Sequence, residues 1–117
     1  MANLRREVLV VDEHPDVAVA LAMMLEGEGY VPTTAVSSQE ALEIIDEMPD
    51  LSAVVAEVRM PAVDGLMLHR VIKLRRPDLR VVLVTRSPID AGAVAARDAI
   101  ILKMPVAPRD LVHALTR

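Results

Sequence analysis

Ala53-Val54-Val55-Ala56-Glu57-Val58-Arg59-Met60-Pro61-Ala62-Val63-Asp64-Gly65 is an apolar run that ends on an acid and passes straight into turn chemistry. A short, uncharged, β-branched run of this kind fits a strand covered on both faces, as in a parallel sheet. Met60-Pro61 and Asp64-Gly65 mark a loop and the start of the next element. Glu57 thus stands at the carboxyl end of a buried strand. It reads as a loop-edge functional carboxylate.

The same grammar recurs on both sides. Glu7-Val8-Leu9-Val10-Val11 is a buried strand running into Asp12-Glu13, and Pro15 suits the first turn of a helix carrying Val17, Leu21, Met24 and Leu25. Gly27 and Gly29 stop that helix. Val31 to Val36 is a second strand; Ser37 with Glu40 forms a capping box, followed by the stripe Ala41, Leu42, Ile45 and Met48. After the quoted strand, a helix from about Gly65 to Arg75 carries Leu68, Val71 and Ile72, and Pro77 closes it. Val81 to Val84 makes a fourth strand ending at Thr85. A brief Ala-rich helix is expected at about Ile89–Ala96, then strand Ala99 to Leu102 ending at Lys103, then a last helix from Pro108 with Leu111, Ala114 and Leu115.

Strands alternating with helices imply right-handed βαβ units and a parallel sheet between two helical layers. The expectation is a doubly wound α/β fold: five parallel strands in the order 2-1-3-4-5, a flavodoxin-like three-layer sandwich. Its 117 residues suit one domain spanning 1–117, with 6–117 as the ordered core. Tyr30 is the one aromatic residue, so the core is aliphatic, with seven Met filling gaps.

Composition excludes several functions. There is no cysteine, hence no disulfide, thiolate metal site or Cys nucleophile. The net charge of −4, the lack of a basic block and the lack of stacking aromatics argue against direct nucleic-acid binding. No apolar run is long enough to span a membrane, and Met1 to Arg6 lacks a signal-peptide pattern. A soluble, cytoplasmic chain is expected. His14, His69 and His113 fall on three separate elements and read as surface residues, and no phosphate-binding glycine motif occurs.

In the 2-1-3-4-5 order the strand ends share one edge, with the switch point between the first and third strands. Asp12, Glu13, Glu57, Thr85 and Lys103 therefore converge on one crevice. Clustered carboxylates raise one another's pKa unless a cation sits among them. Mg²⁺ or the Lys103 ammonium could supply it.

From 7 to 115 the chain resembles the response-regulator receiver domain. The resemblance rests on Val8-Leu9-Val10-Val11-Asp12-Glu13, on Met60-Pro61 and Asp64-Gly65, on Val82-Leu83-Val84-Thr85 and on Ile101-Leu102-Lys103. It implies a module of two-component signalling rather than an enzyme. It further implies Mg²⁺ held by Asp12, Glu13, the acceptor carboxylate and the backbone carbonyl of Arg59, with Thr85 and Lys103 binding the phosphoryl oxygens. Implied partners are a histidine kinase, an output domain or protein, or a second copy of the chain.

The departures lie in the switching parts. Glu57 takes the acceptor position, where the family has Asp. Its extra methylene moves the nucleophile toward the space the phosphoryl group would fill, and a shift on the order of 1 Å costs ~100-fold in a positioned reaction. As a phosphate mimic, Glu57 lacks the second charge and extra oxygens. Ile100 replaces the family's aromatic, Met104 separates Lys103 from Pro105, and the stretch from Thr85 to Lys103 is short. The expectation is a receiver acting through protein contact without ordinary phosphorylation. Its competitors are a Mg²⁺-dependent phosphotransfer or phosphatase-like site at Asp12, Glu13 and Glu57, and a docking piece with no working site.

Overall fold

The computed structural model describes residues 6–87 and 99–116. Five parallel strands, β1 (Arg6–Val11), β2 (Tyr30–Ala35), β3 (Ala53–Glu57), β4 (Arg80–Thr85) and β5 (Ile100–Lys103), form one sheet in the order β2-β1-β3-β4-β5. Four described helices cover it: α1 (Pro15–Gly27), α2 (Ser38–Glu47), α3 (Gly65–Arg75) and α4 (Pro108–Thr116). The expected doubly wound topology is the one observed. The Ala-rich helix expected at 89–96 lies outside the described residues.

Alternation along the strands divides the core in two. Leu9 and Val11, Val54 and Ala56, and Val81 and Leu83 face Ala41 and Ile45 of α2 and Leu68 and Ile72 of α3. Val8 and Val10, Ala53 and Val55, and Val82 and Val84 face Ala18, Leu21 and Leu25 of α1 and Leu111, Ala114 and Leu115 of α4. Every residue of β3 is buried, as its central place in the sheet requires. β5 closes the other end of the order and is only partly covered.

Several strand bounds differ from expectation by one residue: β1 begins at Arg6, β4 at Arg80 and β5 at Ile100, and β2 runs Tyr30–Ala35, with the buried Tyr30 ring 5.7 Å beneath the Arg6 guanidinium. Helix ends follow local chemistry. Ser37 caps α2 by accepting from Glu40 N at 3.1 Å, while the Glu40 carboxylate reaches back to Val36 N at 2.8 Å. At the far end of α2, the Arg76 guanidinium donates to the carbonyls of Ile45, Met48 and Pro49 at 2.9–3.0 Å, meeting acceptors that a helix end leaves open. Of the methionines near the crevice edge, Met60 is buried, Met104 half-buried and Met67 exposed.

Candidate functional site

The loop that follows β3 is held at three points. Gly65 N donates to Val58 O at 2.7 Å, Asp64 caps α3 by accepting from Met67 N at 2.9 Å, and the buried Ser38 hydroxyl donates to Val63 O at 2.7 Å. The return is so close that a Cβ on Gly65 would run into the carbonyl oxygen of Glu57. Only glycine fits there. The Asp-Gly pair is therefore a packing requirement directly beneath the acid.

Asp12 and Glu57 lie at the ends of neighbouring strands, and both are buried, with 0% and 6% of their surface exposed. Asp12 Oδ1 accepts from the His14 backbone N at 2.9 Å and lies 3.2 Å from His14 Nδ1. Its Oδ2 is buried without a hydrogen-bond partner. The Glu57 carboxyl is pushed above its ordinary value, first by burial and then by the charge of Asp12; the positive charges of Arg86 and His14 oppose the rise. Two carboxyls in contact inside the protein need a proton or a cation between them.

Around this pair opens a crevice of about 300 Å³ lined by Glu13, His14, Glu57, Arg59, Thr85, Arg86 and Ser87. Thr85 is buried, and its Oγ1 accepts from Ser87 N at 3.1 Å. Of the residues expected at one crevice, Glu13, Glu57 and Thr85 line it beside the buried Asp12, together with Arg59, which the resemblance implies there.

Lys103, in register beside Thr85 at the end of β5, is exposed and lines a groove with Pro105, Val106 and Asp110. Arg86 is the guanidinium whose charge acts on the acid, and the His14 imidazole stands beside it. His14 is exposed, as its surface reading expects, and its ring also faces Asp12 and, at 3.7 Å through Nε2, Glu13. A usable signal was present. An acid two residues before a helix N-terminus folds the intervening backbone onto its carboxylate, which brings residue i+2 to the same mouth. Ile100 is half-buried and packs toward the α1/α4 face, and the Met104-Pro105 bond is cis.

The family model of the response regulator receiver domain matches residues 8–116. The chain belongs to that family. It is 34% identical over 110 residues to the DNA-binding transcriptional regulator NtrC of Escherichia coli K12, and 31% over 111 residues to the transcriptional regulatory protein GlrR of the same strain. These matches cover 92% and 94% of this chain but 23% and 24% of the regulators, so the chain spans about a quarter of their length. Among solved structures, a response regulator receiver domain protein from Clostridium thermocellum superposes with a TM-score of 0.84 at 28% identity, covering 94% of this chain and 90% of that one. This receiver is thus a two-component signalling domain. None of its described helices is long and apolar enough to cross a membrane.

Proposed function

We propose that this receiver signals through protein–protein contact and is not switched by ordinary phosphorylation, because Glu57 occupies the acceptor position. One observation carries the reading: the Glu57 carboxyl is buried against Asp12, with its pKa raised by burial and by that neighbour. Burial beside another carboxylate disfavours the charged, nucleophilic form, and the extra methylene also spoils the in-line distance a phosphoryl group requires. Arg86 and His14 line the crevice, so phosphoryl charge developing there would meet them first.

The oxygen donors fit a hard divalent cation. Asp12 with its unpartnered Oδ2, Glu13, Glu57 and the backbone carbonyl of Arg59 would hold Mg²⁺ at the crevice. When bound, the ion supplies charge neutralisation for the carboxylates and for an incoming phosphoryl group. The partner is a histidine kinase or an output domain or protein, with a second copy of the chain as a further candidate. The acidic, aromatic-poor composition leaves any DNA contact to other segments.

The test is incubation with a small acyl-phosphate donor and Mg²⁺, followed by intact mass. The wild-type chain stays unmodified, while Glu57→Asp gains one phosphoryl group. Stoichiometric modification at Glu57 overturns the proposal and favours a phosphotransfer-competent site.

A further inference from the structure

Receivers of the pattern described above meet their cation with oxygen alone, yet here an imidazole is turned into the same mouth. One ligand-capable atom from each of Asp12, His14 and Glu57 lies within 4.8 Å of the other two. His14 Nδ1 is 3.2 Å from Asp12 Oδ1. Two adjacent ligands on a first-row ion with bonds of ~2.1 Å stand about 3 Å apart, so this pair is already spaced as neighbouring ligands. A second and independent observation points inward: Asp12 Oδ2 is fully buried, has no donor, and belongs to a side chain with no exposure.

We infer that His14, Asp12 and Glu57 form a divalent-metal site selective for first-row transition ions of the cobalt–zinc class over Mg²⁺. Imidazole nitrogen favours those ions, whereas Mg²⁺ prefers oxygen and sheds water reluctantly. The surroundings of the ring fit this role. Metal-bound histidines commonly offer their second nitrogen to a carboxylate, and Glu13 stands 3.7 Å from Nε2. A neutral imidazole with its proton on Nε2 presents Nδ1 to the ion, and Glu13 then supports the ring from behind. The longer side chain of Glu57 adds a torsion with which its carboxylate closes the remaining gap. Substitution of Asp by Glu, which disfavours phosphoryl transfer, is thereby compatible with tighter ion capture. The inference needs only this geometry and does not rest on the signalling proposal.

Calorimetric titration of the chelator-treated chain with CoCl₂, MnCl₂ and MgCl₂ tests it, with the visible Co²⁺ spectrum as a second readout. One Co²⁺ per chain is expected, bound at least ~10-fold more tightly than Mg²⁺, in keeping with the ligand preferences of these ions. His14→Ala and His14→Gln should each weaken Co²⁺ by ~10–100-fold, the scale on which metal-site partners act, and leave Mg²⁺ within about 3-fold. Both variants should fold, because the His14 ring is half exposed and its backbone, not its side chain, starts α1. His69→Ala and His113→Ala serve as controls, since those residues line other grooves. Equal affinity for Co²⁺ and Mg²⁺, no Co²⁺ binding, or Co²⁺ binding indifferent to His14 overturns the inference. A chain that resists the phosphoryl donor yet binds no Co²⁺ would keep the signalling proposal and lose this one.

Discussion

The two sides of the crevice are built to different standards. On the β1/β3 side, Asp12 and Glu57 stand at the ends of strands whose carboxyl halves are fully covered, above a loop fixed by Ser38, Asp64 and Gly65. On the β4/β5 side, among the described crevice residues Thr85 is buried but Arg86 is exposed, and β5 is a short, half-covered strand that ends on the exposed Lys103. The difference shows where each kind of side chain gets its precision. A buried acid is positioned by the packing of the backbone that carries it, so its place survives a change of one methylene. A cation on a long, solvated stem is positioned by torsions, and a different cation can take over.

The fixed side breaks most severely at Gly65. Gly65→Ala places a Cβ against backbone atoms of Glu57 and Val58, which no side-chain rotation can relieve. Helix propensity alone would favour alanine by up to ~1 kcal/mol, so the sign of the effect separates close approach from propensity. Overpacking against backbone is expected to win, with a net loss of about 3 kcal/mol in urea unfolding. Unchanged or improved stability would mean that the loop after β3 is looser than its hydrogen bonds indicate.

Glu57 itself sharpens the comparison through pH. Its carboxyl titrates above 4.5 in the folded chain because of burial and Asp12. Between the unfolded value and that raised one, the native state holds more protons, so stability falls as pH rises through the window. Below the window the protonated group is at ease. Above it the penalty is constant. Glu57→Gln removes the charge and offers an amide donor to the orphan Asp12 Oδ2. Chelator-treated wild type and variant should therefore melt alike in acid, and the variant should be more stable near neutrality by on the order of 1 kcal/mol, the usual size of a single substitution. A variant less stable than wild type at pH 8 would mean that the Glu57 anion is well compensated.

Much of this was legible in the residues. Buried runs ending in Asp12, Glu57 and Thr85 fix the edge those residues share, because in a parallel sheet the ends of all strands point one way, while the order 2-1-3-4-5 follows from the common doubly wound choice. The capping box at Ser37/Glu40 and the stop at Gly29, which adopts a φ of +89°, also follow from local rules. What was not legible is aim. Lys103 ends β5 next to Thr85 in register and lines another groove, whereas Arg86 and His14 entered the crevice lining without a motif to announce them. Strand position is set by period and turn chemistry; the direction of a long charged side chain is set by its tertiary surroundings, which a single sequence does not contain.

The smallest expected effects discriminate best between those cations. Arg86 and Lys103 are both exposed, and replacing either by alanine should change stability by no more than ~0.5 kcal/mol. Their effects on Glu57 should differ. The Arg86 charge holds the Glu57 carboxyl down against burial and Asp12, so Arg86→Ala moves its titration further upward. Lys103 exerts no such pull, and Lys103→Ala leaves the titration in place. Carboxyl-carbon NMR of the Glu57 resonance across a pH series reads this directly in both variants. If Lys103→Ala shifts the resonance and Arg86→Ala does not, the ammonium governs the acid after all, and the β4/β5 side is as well aimed as the β1/β3 side. The opposite pattern makes Arg86 the working counter-charge of this crevice: a cation recruited from the residue after Thr85 in place of the one at the end of β5.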